Sequence, residues 1–309
     1  MKIYLIVSGK DAGLSKDQMQ SLKKVGEVKI ISHKGKLSDI KELVNDKTDK
    51  ILAVDPDSFD WNLDVEALDT IQNVKAICTQ STSFDWIKPT ELRKKNIVAC
   101  NCPGFSSDSV AEYALCMAIE ASRCLAVYVK NNWKVDWNAK PMLLKGKTVG
   151  IIGLGRIGTR MAELCAGIGM NVVYWSKMKR DKRFTYVSLK DLFASSDLIM
   201  PALVENPETK TLITHTLLDT VKPTTIIVGI NRVKVLLDEE YIIKQVENEK
   251  IGGYALEGDN AESLPNYKGN VWALPAMAWY TQDSLANLLA LWVENIIAVA
   301  MNNPQNVVN

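Results

Sequence analysis

Gly153, Gly155 and Gly158 form the motif of this 309-residue sequence that points most clearly to a chemical function. They follow the apolar run TVGII and open a helical pattern that begins near Arg156. Gly153 permits a tight turn, Gly155 lets backbone approach a pyrophosphate, and Gly158 lets a helix pack closely on a strand. The helix N-terminus adds unpaired N–H groups and a positive dipole. Because a further strand-like run, NVVYW, comes next, the pattern predicts a dinucleotide-binding βαβ unit rather than a glycine turn without a ligand. The cofactor-binding candidates in this motif are Gly153, Leu154, Gly155, Arg156, Ile157 and Gly158.

The residue after NVVYW bears on which dinucleotide binds. An NAD-preferring site usually has Asp or Glu there, to accept hydrogen bonds from the ribose hydroxyls. This chain has Ser176, followed by the cations Lys177, Lys179, Arg180 and Arg183. Serine and cations bind a 2′-phosphate that a carboxylate would repel. The sequence therefore favours NADP over NAD, although the same loop is also compatible with an ordinary solvated charge run.

The elements that must position this motif alternate along the whole chain. Apolar strand-like runs and helical patterns succeed one another from KIYLIV to IVACN, and again from KTVGII to VWALPAM. This alternation predicts two α/β units with parallel sheets. Between them, the pattern of 109–132 predicts one long helix.

Composition limits the remaining function classes. Lys plus Arg total 37 against 36 for Asp plus Glu, so no broad field attracts nucleic acid or anionic lipid. The apolar segment 285–301 is interrupted by Asn287, Glu294 and Asn295, which favours a buried amphipathic helix over a membrane span. The six cysteines form no CxxC pair, and the two histidines lie in polar, turn-like contexts. We expect a cytoplasmic protein without a metal site and without a nucleic-acid or membrane partner.

Three stretches together carry a family resemblance. NCPGFSSDSVAEYAL, LLKGKTVGIIGLGRIG and NPQNVVN are similar to the interdomain-helix entry, the cofactor signature and the C-terminal ending of the D-isomer-specific 2-hydroxyacid dehydrogenases. That family includes glyoxylate, hydroxypyruvate and phosphoglycerate dehydrogenases. The resemblance implies a flavodoxin-like substrate domain (1–100 with 284–309) and an inserted Rossmann dinucleotide-binding domain (101–283). It also implies a homodimer joined largely through the long helix, and a small 2-oxo or 2-hydroxy acid substrate.

The resemblance further assigns roles to individual residues. It implies that Arg232 binds the substrate carboxylate and carbonyl, a task that suits a permanently charged, two-pronged guanidinium. Glu262 matches the glutamate that the family pairs with an acid–base histidine. The substrate-carboxylate loop corresponds to Ser81, Thr82 and Ser83, where backbone N–H groups could hold an anion. The cofactor contacts beyond the glycine motif correspond to Ser176, Lys177, Arg180, Leu203, Ile230 and Glu257.

The stretch LPAMAWYT departs most from the family pattern. The family has a proline followed by the acid–base histidine, whereas this chain has Pro275 followed by Ala276. Smaller departures are Val233 after the arginine, Ser83 in the substrate loop and Ser263 after Glu262. Alanine cannot deliver a proton, and a positioned general acid contributes about 10² to 10⁴ in rate.

Four explanations of this departure are open. Another acid could act, with Glu262 preferred over Tyr280, Tyr254 and Lys234. The substrate could supply its own acidic group, or the reaction could be a pure hydride transfer. Alternatively, the chain could be a catalytically weak or inactive NAD(P)-binding sensor, since a fold does not guarantee chemistry. Retention of both Arg232 and Glu262 favours an enzyme, an oxidoreductase acting on CH–OH donors.

Overall fold

The computed structural model describes residues 1–178, 181–230, 236–258 and 267–309. The chain divides into two compact units, Met1–Ser106 with Thr281–Asn309, and Ser107–Tyr280. The sequence predicted the boundaries between the units after residues 100 and 283, whereas the structure has them after Ser106 and Tyr280. The observed boundaries coincide with the starts of two helices, at Ser107 and Gln282.

The first unit is a parallel sheet covered by helices. Its strands are β1 (Lys2–Val7), β2 (Glu27–Ser32), β3 (Lys50–Val54), β4 (Val74–Thr79) and β5 (Val98–Cys100). Its helices, numbered through the whole chain, are α1 (Lys16–Val25), α2 (Lys41–Asn45), α3 (Pro89–Lys94) and α10 (Gln282–Ala300), with 3-10 turns at Leu37–Asp39, Pro56–Ser58, Val65–Asp69 and Asp85–Ile87. In the described residues the strand order is β2-β1-β3-β4-β5, and each neighbouring pair is parallel. This order is that of a flavodoxin-like sheet, as predicted.

The central strands of this sheet are buried on both faces. All five residues of β3 are buried, as are the last five of β1. Strands covered on both faces by helices read as continuous apolar runs, which is why KIYLIV and KILAV were recognisable in the sequence.

Helix α10 supplies one cover of the first sheet. By length and apolar composition it is the helix in the described chain that could cross a membrane. In the structure its residues Leu288, Trp292 and Ile296 belong to the core formed with β1, β3 and β4. The Trp292 indole N–H also donates to the carbonyl of Cys78 at 2.9 Å. The helix therefore packs as the buried amphipathic helix that its sequence predicted.

The second unit is a larger parallel sheet. Its strands are β6 (Thr148–Ile152), β7 (Asn171–Trp175), β8 (Thr185–Tyr186), β9 (Leu198–Pro201), β10 (Ile226–Gly229), β11 (Gly253–Gly258) and β12 (Val271–Pro275). Its helices are α4 (Ser107–Ser122), α5 (Leu125–Lys130), α6 (Arg156–Gly167), α7 (Leu189–Ser195), α8 (His215–Leu218) and α9 (Glu239–Glu247). Among the described residues the order is β8-β7-β6-β9-β10-β11-β12, with every neighbouring pair parallel. This is the 3-2-1-4-5-6 order of a Rossmann sheet with one strand added, which confirms the predicted fold.

The single long helix predicted for 109–132 is wrong. It ends at Ser122, and α5 begins after Cys124, whose φ of 55° is left-handed. Two distant groups bond the carbonyls of the last turn. Asn270 Nδ2 donates to the Ala121 carbonyl at 2.8 Å, and the Met142 N–H donates to the Ser122 carbonyl at 2.7 Å. Such partners bond the last carbonyls of a helix, so the helix can end at a residue where its apolar pattern alone would continue it.

Candidate dinucleotide and substrate sites

The glycine motif forms a turn that leaves no room for side chains at two positions. Gly153 has a φ of 94°, and a Cβ there would lie 2.7 Å from the Ala202 carbonyl oxygen. A Cβ on Gly158 would lie only 2.0 Å from the Gly153 carbonyl oxygen. Gly155 differs, because a Cβ there would meet no atom within 4 Å. The first and third glycines thus permit packing within the protein, whereas the second leaves open space over the turn.

This turn lies at the switch point of the second sheet. Strand order reverses between β6 and β9, and ligands of doubly wound sheets bind outside the carboxyl ends of strands at such a point. Helix α6 begins there with Gly155 as its N-cap residue, which has no side chain to bond the first-turn amides. Those amides and the helix dipole are suited to an anion such as a pyrophosphate.

A cleft of about 500 Å³ opens beside the start of α6. It is lined by Ser107, Asp108, Leu154, Gly155, Arg156, Thr159, Arg160 and Glu163. Arg160 forms an ion pair with Asp108 across it, at 2.8 Å from Nε to Oδ1, and approaches Glu163 at 3.3 Å. The cleft thus combines helix N-terminal amides with balanced side-chain charge. Its residues suit the phosphates of a dinucleotide, and NAD or NADP would bring a nicotinamide that transfers hydride.

The loop after β7 is less cationic than its sequence suggests. Ser176 lies directly after the strand and is buried. Lys177 pairs with Glu208 at 2.5 Å, and Arg183 pairs with Asp181 and Glu163 at 2.8 and 2.7 Å. Lys179 and Arg180, the other two cations of the prediction, lie outside the described residues. Part of the predicted positive charge is therefore already balanced by carboxylates.

Three other predicted cofactor residues lie at the carboxyl edge of the same sheet. Leu203 follows β9, and the buried Ile230 follows β10. Glu257 is the penultimate residue of β11 and is 8% exposed. Its Oε1 accepts a hydrogen bond from the Ala278 N–H at 2.9 Å. The structure thus brings these three side chains to the edge where the glycine turn also lies.

The segment that carries Ala276 is held by helix α4. The Tyr113 hydroxyl donates to the Pro275 carbonyl at 3.0 Å, and the Ser109 hydroxyl donates to the Ala278 carbonyl at 2.6 Å. Sequence reasoning missed both residues. Their i, i+4 spacing, which places two hydroxyls on one face of an apolar helix, was the available signal.

Two tyrosines predicted as possible substitutes for the missing histidine, Tyr254 and Tyr280, differ in burial. Tyr254 is fully buried near the start of β11, and its hydroxyl approaches Glu239 at 3.5 Å. Burial first, then the charge of Glu239, raises the pKa of this phenol. Tyr254 is therefore a poor candidate, because its hydroxyl is fully buried in the core, against Gly229 of β10 and beside Glu239. Tyr280 is exposed and stacks edge-on against Trp279.

Several predicted functional residues lie outside the described part of the chain. They are Arg232, Lys234 and Glu262. Their assignments stay predictions that rest on the family resemblance.

In the first unit, the predicted substrate loop follows β4. Its carbonyls are bonded within the unit, since Asn101 Nδ2 donates to the Thr82 carbonyl at 2.7 Å and Trp86 Nε1 donates to the Ser83 carbonyl at 3.1 Å. The Ser81 hydroxyl donates to the Ser83 carbonyl at 2.6 Å. Because N–H and C=O point in opposite directions across a trans peptide, the amides that follow these carbonyls point away from their partners. This geometry is compatible with anion binding by those amides.

The histidines and cysteines carry no site of their own. His33 Nε2 lies 2.9 Å from the Lys36 carbonyl, and His215 Nε2 lies 2.9 Å from Asp238, both on exposed surface. Five of the six cysteines are buried and all are free thiols. Across the described ranges there is no group of three or more His, Cys, Asp or Glu residues placed to hold a metal.

The family model of the D-isomer specific 2-hydroxyacid dehydrogenase, NAD binding domain, matches residues 113–279. This match covers more than half of the chain, including the glycine turn, β11 and β12. The protein belongs to this family.

Relatives of this dehydrogenase agree with the assignment. Glyoxylate reductases of Korarchaeum cryptofilum and Thermococcus litoralis are both 28% identical, covering 80% and 89% of this chain and 80% and 85% of their own. The solved structure of an acyclic imino acid reductase with NADPH and D-Arg is 23% identical, with a TM-score of 0.79 over 100% of both chains. The predicted class, an NAD(P)-dependent oxidoreductase acting on CH–OH donors, is confirmed.

Two glycines at opposite ends of α6, Gly155 at the N-cap and Gly167 in the last turn, allow a test of the dinucleotide site. We expect Gly155→Ala to leave thermal stability unchanged and to weaken NADPH binding by at least about tenfold, because the new methyl occupies the open space over the turn. Gly167→Ala is the matched control, since a Cβ there also meets no atom within 4 Å. NADPH affinity is measured by fluorescence titration. Equal affinities in the two variants would contradict the assignment.

Proposed function

We propose that this dehydrogenase reduces a small 2-oxo acid to the 2-hydroxy acid with NADPH. The observation that carries the proposal is the glycine turn at the switch point of a Rossmann sheet, where Gly155 opens onto the α6 N-terminus. The glyoxylate reductases among its relatives support a small 2-oxo acid as the substrate.

The residues of this chain have separate tasks in that reaction. The first-turn amides of α6 and the helix dipole bind the cofactor phosphates. The family resemblance assigns binding of the substrate carboxylate to the Arg232 guanidinium and to the amides of the 81–83 loop. Arg232 also stabilises the negative charge that develops on the substrate oxygen. Bound NADPH supplies the hydride.

The proton for the 2-oxo acid comes from a source other than residue 276. Ala276 is exposed, so its small side chain leaves space in which water can bind. We assign the acid role to Glu262, acting through such a water, in preference to the exposed Tyr280. We expect slow reduction of 2-oxo acids, because a general acid contributes about 10² to 10⁴ in rate.

Removal of Arg232 separates catalysis from cofactor binding. We expect Arg232→Ala to abolish NADPH oxidation across a panel of 2-oxo acids and to leave NADPH affinity nearly intact. Arg232→Lys, which keeps the charge without the two-pronged geometry, should retain a fraction of the activity.

Two results would contradict this assignment in different ways. Turnover that survives in Arg232→Ala would remove Arg232 from the site. Wild-type protein that binds NADPH without reducing any 2-oxo acid would favour the alternative function, an NAD(P)-binding sensor.

Ser176 supports the choice of NADPH. A serine after β7 leaves room for a 2′-phosphate and does not repel it, whereas a carboxylate would. The Lys177–Glu208 pair is exposed on both sides, so Lys177 can exchange its partner for the phosphate.

Ser176→Asp should therefore reverse cofactor preference. We expect NADPH affinity to fall by at least about tenfold and NADH affinity to rise, since the new carboxylate repels the 2′-phosphate and accepts ribose hydroxyls. Ser176→Asn is the control of equal size without charge. Tighter binding of NADH than of NADPH by the wild-type protein would overturn the preference.

We also propose a cytoplasmic homodimer without a nucleic-acid or membrane partner. The segment after α5 presents Trp133, Trp137 and Leu143 with 70, 92 and 73% of their surface exposed. Large apolar residues exposed together mark an interface, and this segment continues the helical region through which the family resemblance implies a dimer.

Trp137→Glu should weaken the dimer, because a charge at the centre of an apolar contact is left desolvated. Light scattering at micromolar concentration should show a dimer for the wild type and a larger monomer fraction for the variant. Met301→Glu, which places the same charge at another exposed apolar residue, should remain dimeric. A monomeric wild type would exclude the proposal.

A further inference from the structure

The C-terminal segment of the chain is joined to the outer edge of the first sheet. Strand β5 is the last strand of that sheet, and Cys100 at its end forms an antiparallel bridge with Val307. The Asn309 side chain bonds the same edge, accepting from the Ala99 N–H at 2.9 Å and donating to the Ile97 carbonyl at 2.6 Å. The segment thus pairs with the edge of β5 and has a fixed position.

Three asparagines connect this segment to the predicted substrate loop, and we name them the asparagine relay. Asn306 Nδ2 donates to Asn295 Oδ1 at 2.8 Å. Asn295 Nδ2 donates to the Asn101 carbonyl at 2.7 Å, and Asn101 Nδ2 donates to the Thr82 carbonyl at 2.7 Å. The Asn101 N–H also donates to the Asn306 carbonyl at 3.1 Å. Each side-chain amide therefore donates in the direction of the loop.

The central amide of the relay has only one orientation that satisfies its partners. A carbonyl only accepts, so the group of Asn295 that faces the Asn101 carbonyl is the NH₂, and its oxygen faces Asn306. Asn295 is 1% exposed, on the buried side of α10. An amide left unpaired there would be costly, so the relay accounts for a polar residue in the apolar segment 285–301.

The substrate loop keeps its amides available while its carbonyls are bonded. The Cys102 N–H donates to the Ser81 carbonyl at 2.8 Å, so the chain after β5 holds two consecutive carbonyls of the loop. In the described chain, the N–H groups of Thr82, Ser83 and Phe84 donate to no protein acceptor. Successive amides of this kind bind an anion when their common direction is fixed in advance.

We propose that the asparagine relay positions the substrate loop, with Asn306 and Asn295 acting on the substrate through Asn101 and Thr82. The inference rests on the proposed function, in which the amides of the 81–83 loop bind a 2-oxo acid carboxylate. Loss of a relay bond frees the Thr82 peptide to turn, and the amides that follow it lose their common direction. The carboxylate then binds less tightly, whereas the cofactor binds at the glycine turn of the other unit and is unaffected.

Asn306→Gly tests the relay. Asn306 has a φ of 52°, which glycine adopts without strain, so the substitution removes the donor to Asn295 without straining the backbone. We expect the KM for pyruvate to rise by about two- to tenfold, the effect of one hydrogen bond, with kcat and NADPH affinity unchanged. Asn306→Asp keeps the size of the side chain but has no N–H, and it should also raise the KM. Steady-state assays of NADPH oxidation measure both.

Asn309→Ala is the matched control. It removes an amide of the same segment that bonds the edge of β5 and takes no part in the relay. We expect it to lower the melting temperature and to leave the KM for pyruvate unchanged. A merely structural role of Asn306 would likewise change the melting temperature and not the KM.

The double variant Asn101→Ala with Asn306→Gly tests whether the relay bonds act in series. Asn101→Ala removes the last bond, the one to the Thr82 carbonyl. The double variant should have the KM of Asn101→Ala alone, because the Asn306 amide reaches the loop only through Asn101. A KM raised by the product of the two single effects would contradict the relay.

Oxalate binding distinguishes this inference from the proposed function, because oxalate presents a carboxylate and is not reduced. It is measured by calorimetry with NADPH-saturated protein. Unchanged KM and oxalate affinity in Asn306→Gly would overturn the inference and leave the 2-oxo acid reductase standing. Wild-type protein that binds oxalate without reducing pyruvate, and binds it more weakly in Asn306→Gly, would overturn the proposed function and support the relay. Neither oxalate binding nor pyruvate reduction in the wild type would overturn both.

Discussion

The close approach of helix α6 to the end of strand β6 is the constraint on which the dinucleotide site depends. A Cβ on Gly158 would lie 2.0 Å from the Gly153 carbonyl oxygen and 3.1 Å from the Ala202 Cβ. No side chain fits there, so α6 contacts the turn and the end of β9 directly. This contact fixes the direction of the helix dipole and leaves the first-turn amides over the switch point.

Helix α4 has a comparable role for strand β12. Near its start, Ser109 and Tyr113 bond the Ala278 and Pro275 carbonyls that follow the strand. At its end, the Ala121 carbonyl accepts from Asn270, which precedes the strand. One helix thus holds both ends of β12, and Glu257 on the neighbouring strand secures Ala278 from a third direction. The edge around Ala276 is consequently built for fixed geometry although its side chain has no chemistry of its own.

Charge around the site is arranged in pairs. Lys177 pairs with Glu208 and Arg160 with Asp108, whereas Arg183 pairs with two carboxylates, Asp181 and Glu163. Exposed pairs of this kind contribute only about 0 to 1 kcal/mol, so an arriving phosphate can replace a carboxylate at small cost. The buried Glu257 is different, because its Oε1 accepts from the Ala278 N–H at 2.9 Å.

The sequence alone was sufficient for both parallel sheets, the glycine turn and the family, because buried parallel strands read as apolar runs and the glycine spacing reflects local backbone geometry. Only the tertiary structure decided the end of α4 at Ser122, the balancing of Lys177 by Glu208 and the fixing of residues 275–278 by Ser109, Tyr113 and Glu257. It also excluded Tyr254, whose place near the start of β11 takes its hydroxyl into the core. These features depend on partners 20 to 169 residues apart in sequence. Local pattern carries no information about such contacts, since they arise only when separate elements pack together.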